Sequence, residues 1–415
     1  PFMEKFLKSY SIFYILLVSL VLRIISFYFF SDNQLIHEWA KIIHNYETTG
    51  IFGYYVVINE FFAEPKFADP GDKVLPTIFM PPLYLYFIYL AKILSSNLIN
   101  FINLILFLQI LISLLSIFIF YKICIYFKDK KTSLFLTTIF SFFPINIWSS
   151  TQISSITVQI FLIICFLFSI QKLLAKEKKL KNVLSFSLIS GLLILIRGEF
   201  FLFYFFTLFY FFLYNRYQPK KIIISVIITF MVISPYIYRN YLLFDTFTIT
   251  KSFGYNLLKG NNPSAKIQGD PKFIEKEFQR KNLKIRSSNS YEINLDDFYK
   301  SKSLEFIKKD PTKYIYLYFK KVFAFIFLDF NSTYPHYFNP LHIVPKVLIS
   351  IFSIIGAILS LRQKGFFQYV ALYYIFNILF FAIFFILPRY SLFLLPAQIL
   401  LTIKTIDYLR SKLVN

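Results

Sequence analysis

Residues 10 to 40, YSIFYILLVSLVLRIISFYFFSDNQLIHEWA, run through twenty-one almost uninterrupted apolar positions and then meet an acid, Asp32. About 20 such residues in a helix cross the hydrocarbon of a bilayer. The carboxylate therefore stands where a span leaves the oil. A second run, FFQYVALYYIFNILFFAIFFIL at 366–387, lies near the other end, with several more between. With 57% hydrophobic and 21% aromatic residues among 415, the chain far exceeds what the interior of a soluble globule needs. It reads as an all-α integral membrane protein with many spans.

The formal charge of +22 does not indicate a nucleic-acid partner, because Lys and Arg sit mainly in short runs between apolar segments. Those runs are KDKK (128–131), KEKKLK (176–181), RYQPKK (216–221), RQK (362–364) and RSK (410–412), and all should face the cytoplasm. Cys124 and Cys165 lie inside apolar segments without metal-ligand spacing, so they say nothing about redox compartment. The first apolar run follows Glu4, Lys5 and Lys8 but lacks a small-residue cleavage site, and it reads as a retained anchor.

Keeping every basic run inside requires an even number of crossings between successive runs. Spans near 10–30, 101–127, 132–148, 152–171, 183–197, 200–214, 222–238, 341–361, 366–387 and 391–408 meet that condition, about ten helices with both termini inside. Parity then keeps PPLYLYFIYLAKIL (81–94) from crossing, so it should lie along the outer surface as an amphipathic helix opened by Pro81 and Pro82. The chain divides into an N-terminal transmembrane core, 1–238, with a first outer loop at 31–78; an extracytoplasmic loop region, 239–340; and C-terminal transmembrane helices, 341–415. The loop region holds the turn-rich stretches GNNPSAKIQGD and RKNLKIRSSNS and ends in DPTKYIYLYFKKVFAFIFLDF, whose lysines among aromatics predict a helix at the interface.

Under this topology the short outward turns carry almost no cations, with two exceptions. Arg197, in LLILIRGEFF, and Arg389, in FILPRYSLFLLP, each sit at the outer end of a hydrophobic hairpin. Ionisable residues at membrane depth are expensive, so each is a functional candidate with an anion as natural partner. Snorkelling to lipid phosphate is the plain alternative, and for Arg197 so is an ion pair with Glu199. Asp32 belongs to the same outer surface, where its plain alternative is a helix-end polar residue or N-cap. IHEWAKIIHNYETTGIFGYY predicts a helix ending at Gly50, with Ile36, Trp39, Ile43 and Tyr46 spaced to lie against the membrane and hold the acid at the lipid border. His37 and Glu38 are weaker candidates that also read as solvated helix residues, and His37 and His44 lack a four-residue zinc spacing.

In this order the landmarks resemble the GT-C glycosyltransferases of the protein mannosyltransferase and aminoarabinose transferase branch. DNQLIHEWA places Asp32 on the acid of that family's first-loop motif, eight residues before an Ala. MPPLYLYFIYLAKIL resembles its (R/K)PPLYP element, LLILIRGEF its LLTRPE turn, and SPYIYRNYLLFDTFTITKSFGYNLLKGNNPSA its PW.IRN...G.F...S..GGYNL..GNNP stretch. LPRYSLFLLPAQILL resembles the closing RYRLPLLP segment, so the likeness covers most of the chain. Two positions depart from the pattern. Met80 stands where relatives often carry a cation, and WSSTQISSITVQIF (148–161) holds no second acid.

The resemblance implies a GT-C bundle with outer-surface helices that takes a sugar from a polyprenyl-phosphate donor and passes it, with inversion, to an extracytoplasmic lipid, glycan or protein. Its site would face outward from a plasma or inner membrane, among membrane lipids. Asp32 would act as general base, and Arg197, Arg239 and Arg389 would hold the donor phosphate, with nearby arginines keeping the base's pKa low. Lys73 and Lys251 are weaker phosphate candidates. Tyr255, Asn256, Asn261 and Asn262 could line the sugar or acceptor site, although Asn-Asn-Pro beside glycine also reads as a turn held for its own sake. No cofactor is required, and without a second acid the grounds for a bound divalent cation or other metal are thin. The alternatives are a transporter or flippase of lipid-linked sugars and a catalytically silent relative of the same fold.

Overall fold

Apolar runs of two lengths build the protein, and the short polar segments between them set its corners. The computed structural model describes residues 2–35, 37–95, 100–175, 179–214, 219–334 and 337–414, without the side chains of 2–11, His37, Tyr214 and Val414. In chain order the elements begin with α1 (Phe2–Phe30), α2 (His37–Thr49), β1 (Gly53–Asn59), β2 (Phe62–Pro65), β3 (Val74–Pro76), α3 (Pro82–Leu94) and α4 (Phe101–Phe127). There follow α5 (Lys130–Phe142), α6 (Pro144–Ser149), α7 (Ile156–Leu174), α8 (Leu180–Ile196), α9 (Phe200–Tyr214) and α10 (Pro219–Phe244). The polar region holds α11 (Phe253–Gly260), α12 (Pro271–Glu277), α13 (Tyr291–Lys309) and α14 (Pro311–Ile326). Then come α15 (Pro340–Leu361), α16 (Phe366–Phe381), a 3-10 turn at Pro388–Leu394 and α17 (Leu395–Val414).

Among the described residues six helices are long and apolar enough to cross a membrane, and 82–94, 180–196, 200–213 and 366–381 form shorter apolar helices. The span expected at 132–148 is divided: Pro144 brings no N–H to the ladder, so α5 stops at Phe142 and α6 starts anew. α3 has 13 residues, about 20 Å of helix, too short to cross. α14 exposes Ile315, Tyr316, Phe319 and Phe323 on one side and buries Tyr314, Leu317 and Phe325 on the other.

At one end of the bundle the basic runs come together. Lys128 pairs with Asp407, Arg410 reaches the Thr132 hydroxyl at 3.5 Å, and Lys404 reaches Gln363 at 3.1 Å. The runs at 176–181 and 216–221 fall partly outside the described residues.

The opposite end differs from expectation in two respects. The loop between α2 and α3 contains a three-stranded antiparallel sheet in the order β2-β1-β3. Tyr55, Ala63 and Leu75 of that sheet share one small core with Leu258, Ile274, Tyr291, Leu295 and Tyr299, so the first loop and the 239–340 region form a single cap. The second difference concerns α2. It ends as expected at Gly50, whose φ of 76° suits the left-handed position after a helix. Its apolar stripe, however, faces protein and not lipid: Trp39, Ile42 and Ile43 are buried, and the Trp39 ring meets Tyr84 of α3 edge-on at 5.4 Å. Ile36 lies outside the described residues.

Candidate active site

Beyond Phe30 the chain turns so that Asp32 meets the segment between α6 and α7. Its main-chain N–H donates to the Thr151 carbonyl at 3.2 Å, and its Oδ2 accepts from the Ile153 N–H at 2.7 Å. Gln152 Nε2 donates to the Phe30 carbonyl at 2.6 Å, and the Gln152 carbonyl accepts from Gln109 Nε2 at 2.7 Å. The buried Tyr84 hydroxyl donates in turn to Gln109 Oε1 at 2.7 Å. Asp32 is thus framed by main-chain amides and neutral side chains. Burial raises the pKa of this half-buried carboxyl above the usual carboxylate value, and the Ile153 N–H pulls against that rise. The expectation that arginines hold it low is not met, since among the described residues no guanidinium contributes to the shift.

The cations meet elsewhere on the same end. Arg197 follows α8 directly and Arg389 lies in the 3-10 turn, yet each guanidinium stands 5.8 Å from the centroid of the Tyr390 ring. Arg197 Nε also donates to Gln159 Oε1 at 3.2 Å, and its Nη1 lies 3.6 Å from Glu199, the expected local pair. Lys259, at the end of α11, joins this group with its ammonium 4.2 Å from the Phe385 ring centroid. Burial lowers its pKa first and the Arg389 charge second, while Glu38 opposes both. The Glu38 charge thus acts on Lys259, while the side chain of His37 lies outside the described residues.

Arg239 has the partners of a brace, none of them shared with the Tyr390 group. Its Nη1 donates to the Thr77 carbonyl at 3.1 Å and to Asn240 Oδ1 at 2.8 Å, between the rings of Tyr236 and Phe244. The Thr77 hydroxyl donates to Glu292 Oε1 at 2.5 Å and the Ile78 N–H to Oε2 at 2.8 Å. Glu292 is buried, which pushes its carboxyl up to about 7 against the pull of these donors and of Arg239. Together they fix the strand end that leads to Met80 and the two prolines. Lys251 is paired with Asp297 at 2.8 Å, and Lys73 is exposed.

Tyr255 is half-buried beside Phe79, with ring centroids 5.9 Å apart, and its main-chain N–H donates to Asp296 Oδ1 at 3.0 Å. Asn256 is half-buried one position on. Asn261 donates to the Leu257 and Ile383 carbonyls and accepts from the buried Lys321 ammonium at 3.0 Å. Asn262 donates to the carbonyls of Leu258 and Asp270 and accepts from the Ser264 N–H. Both asparagines are committed to the turn itself. Beside them a Cβ on Gly260 would stand 2.1 Å from the Phe384 carbonyl oxygen, so glycine lets two main chains touch there.

No protein-family model and no curated protein matches this chain. Among solved structures, the oligosaccharyltransferase AglB from Archaeoglobus fulgidus, in complex with an inhibitory peptide and a dolichol-phosphate, matches with a TM-score of 0.57 at 13% identity. The match covers 98% of this chain and 51% of AglB, so this chain spans about half of the archaeal protein's length. The same oligosaccharyltransferase tethered with an acceptor peptide matches at 0.56 and 13% identity, over 99% and 51% of the two chains. ArnT from Cupriavidus metallidurans in the apo state gives 0.49 at 13% identity, over 94% and 58%. The chain shares the fold of the archaeal oligosaccharyltransferase, as the GT-C resemblance leads one to expect, and with its long apolar helices it is a multi-pass membrane protein.

Lys259, Glu292 and Arg23 escape a reading of the sequence. Lys259 looks like an ordinary loop lysine, and Glu292 gains meaning only through Thr77, 215 positions away. Arg23 had a signal, a lone guanidinium inside an apolar run.

Proposed function

We propose that the chain is a membrane glycosyltransferase that moves a sugar from a polyprenyl-phosphate donor to a glycan, lipid or protein acceptor, inverting the anomeric carbon. One observation carries this reading: Arg197, Arg389 and Lys259 converge around Tyr390 and Phe385, with two of the three close enough to repel. Such repulsion is relieved when an anion arrives. A lipid phosphate, its tail along the bundle and its head at the rim, meets that need, and the matched AglB structure is itself a complex with dolichol-phosphate. As the bond between the anomeric carbon and the phosphate oxygen breaks, charge grows on the phosphate, and fixed cations stabilise it more in the transition state than before. Asp32 takes the proton of the attacking hydroxyl or amine, and its raised pKa makes it a stronger acceptor than an ordinary carboxylate. Gln159, bonded to Arg197 and six positions beyond Ile153, links the cations to the segment that frames the acid. The gathering of basic runs at the far end favours an outward-facing site.

The test is consumption of a labelled polyprenyl-phosphate sugar by the purified protein with candidate acceptors. Transfer is expected from the wild type and not from Asp32→Asn; full turnover by the Asn variant refutes the assignment.

A further inference from the structure

α1 joins the bundle through its polar side. Leu17, Val18, Val21, Ile24, Ile25 and Phe29 are exposed along it, while the described side chains it buries are Ser19, Arg23 and Ser26, which fall on one stripe. Arg23 is wholly enclosed, and no carboxylate pairs with it among the described residues. Its Nε donates to Ser113 Oγ of α4 at 2.9 Å, and its Nη1 donates to the Ser19 hydroxyl and to the Ser141 carbonyl near the end of α5 at 3.4 Å. Higher on the same stripe Ser26 Oγ and Thr151 Oγ1 are 2.9 Å apart. Above them come the Gln152 bond to the Phe30 carbonyl and the two contacts of Asp32 with Thr151 and Ile153.

In lipid, apolar contact between helices gains little, because acyl chains offer the same contacts; directed hydrogen bonds decide how one helix registers on another. Shifting α1 by one residue would strand a guanidinium at hydrocarbon depth, a costly state. We propose that Arg23 is a positioning residue whose intramembrane guanidinium fixes the register of α1 and so sets the Asp32 carboxylate against the Ile153 N–H. Its catalytic consequence rests on the reading of Asp32 as the base; its structural consequence does not.

The structural part is tested in the full chain carrying Asp32→Cys with Cys124→Ala and Cys165→Ala, labelled by a membrane-impermeant maleimide. Arg23→Met, which also removes the Nη2 group that has no partner among the described residues, is expected to raise the labelling rate severalfold, with Arg23→Lys falling between. In the chain with Asp32 intact, Arg23→Met is expected to lower kcat roughly tenfold or more with donor KM little changed, since small misplacements of a reacting group cost that much. Should Arg23→Met not fold, Ser26→Ala, which removes a single rung, carries the same expectation at smaller size. Labelling unchanged in a folded variant overturns the proposal. Altered labelling in a protein without transferase activity upholds the positioning role and overturns only the proposed reaction.

Discussion

The acid and the cations of the candidate site are held in opposite ways. Asp32 accepts from the Ile153 N–H beside two glutamines and a tyrosine hydroxyl whose own hydrogen bonds are already made. Arg389 and Lys259 face aromatic rings and each other. A neutral, closed frame fixes where a proton is taken, whereas a cluster in which like charges crowd one another, only partly offset by Glu38, marks where a charged substrate must dock. The contrast suggests that the two functions separate cleanly under mutation.

The sharpest way to break the contrast is Asp32→Asn. It should lower transfer by about 10²- to 10⁴-fold while donor affinity, measured with the labelled lipid, stays near wild type. A comparable loss of affinity would merge the two halves. Next in size is Arg389→Ala, expected to weaken donor binding roughly ten- to hundredfold, with Arg389→Lys in between because an ammonium lacks the planar fork for phosphate. Equal affinity for all three proteins would remove the phosphate role. A smaller effect lies in the pH dependence of kcat/KM. Asp32 must be ionised to act as base, and its pKa is raised, so the rate should fall as pH drops through a value above the ordinary carboxylate range. An acid limb at or below that range would contradict the burial argument.

The smallest effect concerns stability of the cap. Glu292 holds its proton more tightly folded, at about 7, than at its ordinary 4.5, so the native state is favoured at low pH and loses that advantage as pH rises between those values. Glu292→Gln mimics the protonated form and should flatten this segment of a plot of melting temperature against pH. An unchanged slope would place the titration elsewhere.

Much of this was legible in the residues. The border after Phe30 exposed Asp32, and the scarcity of outward cations exposed Arg197 and Arg389, because membrane energetics leaves few neutral explanations for charge at such places. The stripe on α2 was read correctly as apolar and wrongly assigned to lipid, since periodicity shows that a face is covered and not by what. The sheet was missed although GYYVVIN carries the β-branched and aromatic residues of a strand, because a seven-residue signal is faint beside span-length runs. Pro144 announced the break between α5 and α6 just as plainly. Arg239 and the Asn261–Asn262 pair show the limit: a donor group looks the same in sequence whether it awaits a ligand or already holds a carbonyl.

The contact of Gly260 with the carbonyl of Phe384 has a broader implication. It docks the cap onto the stretch that follows α16 through atoms that every amino acid possesses. The close approach asks for one small residue, while the Asn261 amide on the Ile383 carbonyl and the Lys321 ammonium on the Gly260 carbonyl lock it with side chains of particular shape. A bulkier residue at that one place would pry the two segments apart and slacken every bond beside it.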